Sequence, residues 1–210
     1  MLPTRALLLA ALATAACGPA ARQGALTPAQ VVNRDGGIAP YVQADVDFMT
    51  GMIAHHAQAV VMADMAPTHG AGWAVGEFAA RIAVAQTDEI AFMKNWLRVR
   101  NKPIPADDAH AHAGHGSDHA QMAMNGMLTP EQLAELDAAR GREFDRLFLV
   151  FMIQHHEGAV AMVETLMAAD GAVRDEDIYK FAADVAADQS TEIDRMRSML
   201  AAMPPASSTP

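Results

Sequence analysis

The chain repeats itself, and the repeat limits what it can fold into. Residues 45–62, DVDFMTGMIAHHAQAVVM, return one hundred positions later as DRLFLVFMIQHHEGAVAM at 145–162. The Asp, Phe, Met-Ile, His-His, Ala-Val and Met positions are unchanged. A second set recurs at an offset of 103: Phe78, Ala79, Gln86, Glu89, Ile90 and Met93 return as Phe181, Ala182, Gln189, Glu192, Ile193 and Met196. Self-similarity of this kind means one folding unit used twice. Inside each unit the spacing is helical. Phe48, Met52, His55, Ala59 and Met62 fall at 4-3-4-3 intervals, a seam that faces a bundle core, and Met49, Ile53, His56, Val60 and Ala63 form an adjoining stripe. On the partner segments Ala79, Ile82, Gln86, Glu89 and Met93 follow the same seam, matched by Ala182, Val185, Gln189, Glu192 and Met196. The fold class this predicts is all-α, a ferritin-like four-helix bundle made of two duplicated helical hairpins joined by a long linker.

Punctuation supports that layout. Helical patterning runs from Val42 to about Met65 and from Trp73 to about Val99, with Pro67 and Gly70 between. Thr129-Pro130-Glu131-Gln132 has an N-cap residue, Pro at the first helical position and a capping-box Gln. Long helices are then expected from about Arg142 to Met167 and from Glu176 to Met203, with Gly171 between. The bundle thus covers residues 41–203: a first hairpin at 41–99, a His/Met-rich linker at 100–128 and a second hairpin at 129–203. Residues 204–210 read as a disordered tail.

The start of the chain reads as an address. Arg5 precedes an apolar run from Ala6 to Ala13, and small residues follow to Cys17, so residues 1–16 are expected to be a signal peptide and 17–40 a flexible tether. Leu12 to Gly18 resembles a lipoprotein processing box, with Thr14 where Leu is usual, and Cys17 is the expected lipidation site and membrane anchor. It is the single Cys, so the bundle has neither a disulfide nor a thiolate metal site. The net charge is −10 and no Lys/Arg cluster occurs, which excludes a phosphate-neutralising partner such as nucleic acid. Nothing in the residues names a protein partner.

The repeat sets both histidine pairs at mid-helix, and Gln86-Glu89 and Gln189-Glu192 at the same depth on the partners. A polar layer of four His, two Gln and two Glu is expected inside the bundle, with His bonding to Gln and Glu and with Met on either side. Unpaired burial of such groups would cost a few kcal/mol each, so they must bond to each other or to a ligand. Imidazole suits copper and zinc, and thioether sulfur selects copper(I). The candidate core ligands are Met52, His55, His56, Met62 and Glu89, with Met152, His155, His156, Met162 and Glu192. In the linker, His110, His112, His115 and His119 precede Met122, Met124 and Met127, a composition that points to metal and, with Met, to copper. A His–Glu layer that merely fixes helix register is the competing structural reading. A ferritin-like dinuclear oxidoreductase would use Glu-x-x-His motifs, and none occurs. No catalytic residue is assigned.

The motif Asp-x-x-Phe-x-x-x-Met-Ile-x-His-His-x-x-Ala-Val-x-Met, at 45–62 and 145–162, with Gln-x-x-Glu-Ile-x-x-Met at 86–93 and 189–196, resembles the hallmark of domain-of-unknown-function family 305. The resemblance spans about residues 44–203. It implies a ferritin-like four-helix bundle in an exported protein. It also implies, by likeness to periplasmic members that bind copper and support copper resistance, a role in copper sequestration, resistance or homeostasis with Cu(I), Cu(II) or both as the bound ion. A metal-free interaction module of the envelope is the alternative. The first copy departs from the family pattern at Ala54 and Ala57-Gln58, where Pro and Gln-Gly are common, so the two halves need not be equivalent.

Overall fold

A computed structural model describes residues 39–105 and 125–204, and the elements there are all helical. Helix α1 spans Gln43–Asp64, α2 Trp73–Val99, α3 Pro130–Ala138, α4 Gly141–Ala168 and α5 Glu176–Ala202. The long helices agree with the periodicity to within a residue or two. The cap of α3 forms as expected: Gln132 N–H donates to the Thr129 hydroxyl at 3.2 Å, and Thr129 N–H to the Gln132 side-chain oxygen at 2.9 Å. The proposed signal peptide, Cys17, most of the tether, His110 to Met124 and most of the tail lie outside the described residues.

α1 packs on α2, α4 on α5, and α1 on α4. The core divides into two apolar clusters. One joins the start of α1 (Phe48, Met49, Met52, Ile53) to the ends of α2 and α4 and the start of α5, including Trp96, Met162 and Phe181. The other joins the end of α1 (Ala59, Met62) to the starts of α2 and α4 and the end of α5, including Phe78, Phe148, Met152 and Met196. The start of each repeated helix therefore meets the end of its copy, so α1 and α4 run antiparallel. Between the clusters lies mid-helix, where the histidines are.

The Asp that opens each repeat ties the hairpins together. Asp45 accepts from Val173 N–H at 2.9 Å, in the α4–α5 turn, and also from Val42 N–H at 2.8 Å at its own helix start. Asp145 accepts from Gly72 N–H at 3.0 Å, in the α1–α2 turn. Each carboxylate satisfies a turn amide of the opposite hairpin, and Asp45 also lies in the first turn of α1, where negative charge is favoured.

Both ends of the 100–128 linker are held on the bundle. Arg100, at its beginning, is buried against Asp175. Residues 125–128, at its end, are held on α1 and α4 by the side-chain amides of Gln58 and Gln154. The physical reason is that buried amides must find partners, and the exposed backbone of the linker supplies them.

Candidate metal centre

The histidine layer forms where the seams placed it. His55, His56, His155 and His156 are all 0 % exposed. The His55 and His155 rings, one from each repeat, lie with centroids 3.8 Å apart and planes tilted by 44°. His56 and His156 stand 6.4 and 6.2 Å from their neighbours in sequence, one on either side of the pair.

Hydrogen bonds decide which nitrogen carries the proton. His56 Nε2–H donates to Glu89 at 2.6 Å, and His156 Nε2–H donates to Glu192 at 2.7 Å. His55 Nε2 lies 2.9 Å from the Asn125 carbonyl oxygen, which can only accept, so that nitrogen is the donor. Nδ1 of His55, His56 and His156 is buried without a protein partner. In a neutral ring protonated at Nε2, Nδ1 carries the lone pair. In the neutral form His55, His56 and His156 therefore each present a buried imidazole nitrogen whose opposite N–H is fixed by a carboxylate or carbonyl. That is the usual outer arrangement around a metal-bound histidine.

Burial is the main force on the charge state of the central pair. It pushes the His55 pKa down to about 3, with the neighbouring His56 ring acting the same way and the Asn125 bond opposing. His155 is held well below 6.5, again by burial first and then by the other three rings, with the His55 backbone opposing. An ordinary imidazole pKa near 6.5, the starting point for solvated histidine, does not apply to these two rings. On the outer flank, Glu89 and Glu192 are partly exposed. With desolvation, they raise the Asp188 carboxyl above its ordinary range, so the layer is bordered by clustered carboxylates.

Two expectations need amendment. Gln86 and Gln189 were expected to bond to histidine, but both amides are buried without a partner. Each such group costs about 1–3 kcal/mol when left unsatisfied. Glu89 and Glu192, also candidate ligands, accept the Nε2–H bonds of His56 and His156. The methionines do not join the polar layer: Met52 and Met162 lie in one apolar cluster, Met62 and Met152 in the other. Met127 sits half-buried at the docked end of the linker. His110, His112, His115, His119, Met122 and Met124 lie outside the described residues. Among the described residues no three or more His, Cys, Asp or Glu side chains gather closely enough to enclose a metal. What the layer offers is paired imidazole nitrogen, a donor set that suits copper and zinc alike.

Sequence reasoning missed Gln58, Asn125 and Gly158. Leu128 N–H donates to Gln58 at 2.7 Å, and Gln58 Nε2 donates to the Leu128 carbonyl at 3.1 Å. Gly158 lies directly under the Asn125 carbonyl. The available signal was the broken repeat, Gln58 against Gly158 and Ala54 against Gln154.

A family model described as "Domain of unknown function (DUF305)" matches residues 45–200. Among solved structures, a DUF305 fragment from Deinococcus radiodurans is 26% identical at a TM-score of 0.65, covering 78% of this chain and 99% of that one. A DUF305 protein from Streptomyces coelicolor, described as secreted, is 25% identical at 0.65, covering 75% and 92%. CopM in its Cu(II)-bound form is 32% identical at 0.58, covering 75% of this chain and 95% of that one. Its Cu(I)-bound form matches at 28% and 0.55, covering 74% and 94%. No curated protein sequence matches the chain.

Proposed function

This chain belongs to the DUF305 family, and we propose that it binds copper ions as cargo outside the cytoplasm, serving sequestration, resistance or homeostasis rather than turnover of a substrate. The observation that carries this reading is the set of bare, buried imidazole nitrogens whose opposite N–H groups are fixed by Glu89, Glu192 and Asn125. Burying such nitrogens without partners costs free energy that an ion would return. Similarity to CopM, a protein solved with both Cu(I) and Cu(II), supports copper over other ions. In this reading His55, His56, His155 and His156 supply nitrogen. The flanking methionines Met52, Met62, Met152 and Met162 furnish soft sulfur close by, which favours Cu(I). His110, His112, His115, His119, Met122, Met124 and Met127 form a second, composition-based set of sites.

The test is a titration with Cu(I), Cu(II) and zinc of three proteins: the unmodified chain, a chain lacking residues 110–124, and a chain with all four core histidines replaced by Gln. The deletion stops at 124 because Asn125–Leu128 is bonded to the layer. Each variant should lose part of the bound copper, and the two losses should together account for most of it. Binding of copper weaker than micromolar, or a preference for zinc throughout, would replace this reading with a metal-free layer that only sets helix register.

Export and anchoring belong to the same proposal. Residues 1–16 serve as signal peptide and Cys17 as the acylated anchor, with the secreted description of the Streptomyces coelicolor neighbour in support of export. Among the described residues no helix is long and apolar enough to cross a membrane. The full-length protein should fractionate with membranes, and Cys17→Ser should move it to the soluble fraction. Solubility of the unmodified protein would end the anchor.

A further inference from the structure

The two histidine pairs ride on near-copies of one helix, yet only one member of the central pair is gripped from outside. The backbone of residues 125–128 lies against α1 and α4, and its hold is specific. Gln58 takes both the N–H and the carbonyl of Leu128. Gln154 donates to the Gly126 carbonyl at 3.3 Å, and Gln132 in turn donates to Gln154 at 3.1 Å. The Asn125 carbonyl accepts from His55 Nε2. The contact leaves no room for side chains. A Cβ on Gly158 would lie 2.1 Å from the Asn125 oxygen, and one on Gly126, whose φ is +74°, would lie 2.5 Å from the Gln154 oxygen. The gripping positions are those where the repeat is broken: Gln58 stands against Gly158, and Gln154 against Ala54. The duplication has diverged at the places that seat this segment.

We infer that residues 125–128 form a positioning strap that presets the central histidine pair from one side: it locks His55 with its proton on Nε2 and so presents Nδ1 to a metal ion, while His155 is outside its grip. This rests on the copper reading above and adds to it a division of labour between the two repeats. An acceptor on the far nitrogen of a metal-binding histidine fixes its tautomer and ring orientation, and losing that acceptor costs about 10- to 100-fold in metal affinity. His155 takes no bond from the strap; the backbone group that acts on its ring is that of His55, inside the layer. The strap acts through backbone atoms, so the Asn125 side chain is dispensable and the residues that matter are Gln58 and Gly158.

Imidazole ¹⁵N spectra of the metal-free, full-length protein test the strap directly. His55 should show the Nε2–H tautomer. Gly158→Ala should displace the strap, because Ala suits helix α4 better than Gly and the clash falls on the strap. Gln58→Ala removes the grip without adding bulk. Both should convert His55 to a tautomer mixture with helix content unchanged, whereas Asn125→Ala should resemble the unmodified protein. A Cu(I) titration followed at the His55 and His155 resonances, which report this layer alone, should then show binding weakened by about 10- to 100-fold in Gly158→Ala and Gln58→Ala. A His55 protonated on Nδ1, or a tautomer unchanged in both variants, overturns the strap. Failure of the unmodified layer to bind copper overturns the reading beneath it, and the metal-free spectra tell the two failures apart.

Discussion

Replacing Asp175 with alanine is expected to cost about 3–5 kcal/mol of folding stability, because it strands a buried guanidinium. Arg100 and Asp175 are 5% and 2% exposed, and their side chains pair at 2.5 Å. The same Asp175 oxygen accepts from Trp96 Nε1–H at 3.1 Å, and its other oxygen caps α5 by accepting from Asp177 N–H at 3.0 Å. The Arg100 guanidinium also lies 4.1 Å over the Trp96 ring. One carboxylate thus joins the end of α2 to the start of α5 and closes the apolar cluster that holds Met52 and Met162. Denaturant unfolding followed by tryptophan emission reads the effect cleanly, since Trp73 is 83% exposed and the change comes from Trp96, which is 0% exposed. Adding Arg100→Met should recover much of the loss, because removing both charges leaves no unpaired ion. A cost below 1 kcal/mol for Asp175→Ala would mean that water reaches Arg100, and that this end of the bundle is looser than the packing indicates.

The helices and the depth of the histidine layer were legible because both follow from position on a helix. Apolar residues at 4-3-4-3 spacing put His55 and His155 on the seam, and equal depth on antiparallel partners brought His56 to Glu89 and His156 to Glu192. What spacing cannot express is which atoms finally bond. Gln86 shares the seam and depth of Glu89, yet its amide finds no partner while the carboxylate one turn later does. Asp45 and Asp145 were visible as repeated letters, but their roles join them to turns 128 and 73 residues away. The strap was least legible of all. It pairs backbone carbonyls with side chains across 28 to 70 residues and leaves no periodic trace, only the mismatches of Gln58 with Gly158 and of Gln154 with Ala54. The lowered basicity of His55 and His155 is likewise a product of assembly, since neither ring is dry until both repeats close over it.

That lowered basicity should make the protein lose stability in mildly acidic solution, before its carboxylates begin to titrate. The unfolded chain takes a proton at His55 near pH 6.5, whereas the folded chain resists until about pH 3. Between those values the unfolded state binds more protons, so stability falls as pH falls. Each pH unit is worth about 1.4 kcal/mol per histidine, which gives about 2 kcal/mol from His55 alone between pH 6.5 and 5. His155, also held well below 6.5, adds to the loss in the same direction. Above pH 6.5 both rings are neutral in either state and contribute no slope. Unfolding by denaturant at pH 7.5, 6 and 5 should show this decline in the metal-free protein. A chain carrying His55→Gln and His155→Gln together should lose most of the slope, since glutamine has no proton to gain. Saturating Cu(I) should oppose the decline in the unmodified protein, because an ion that occupies the folded layer stabilises it by mass action. If the double variant keeps the full pH dependence, the two rings are not held neutral by burial, and water already reaches the layer.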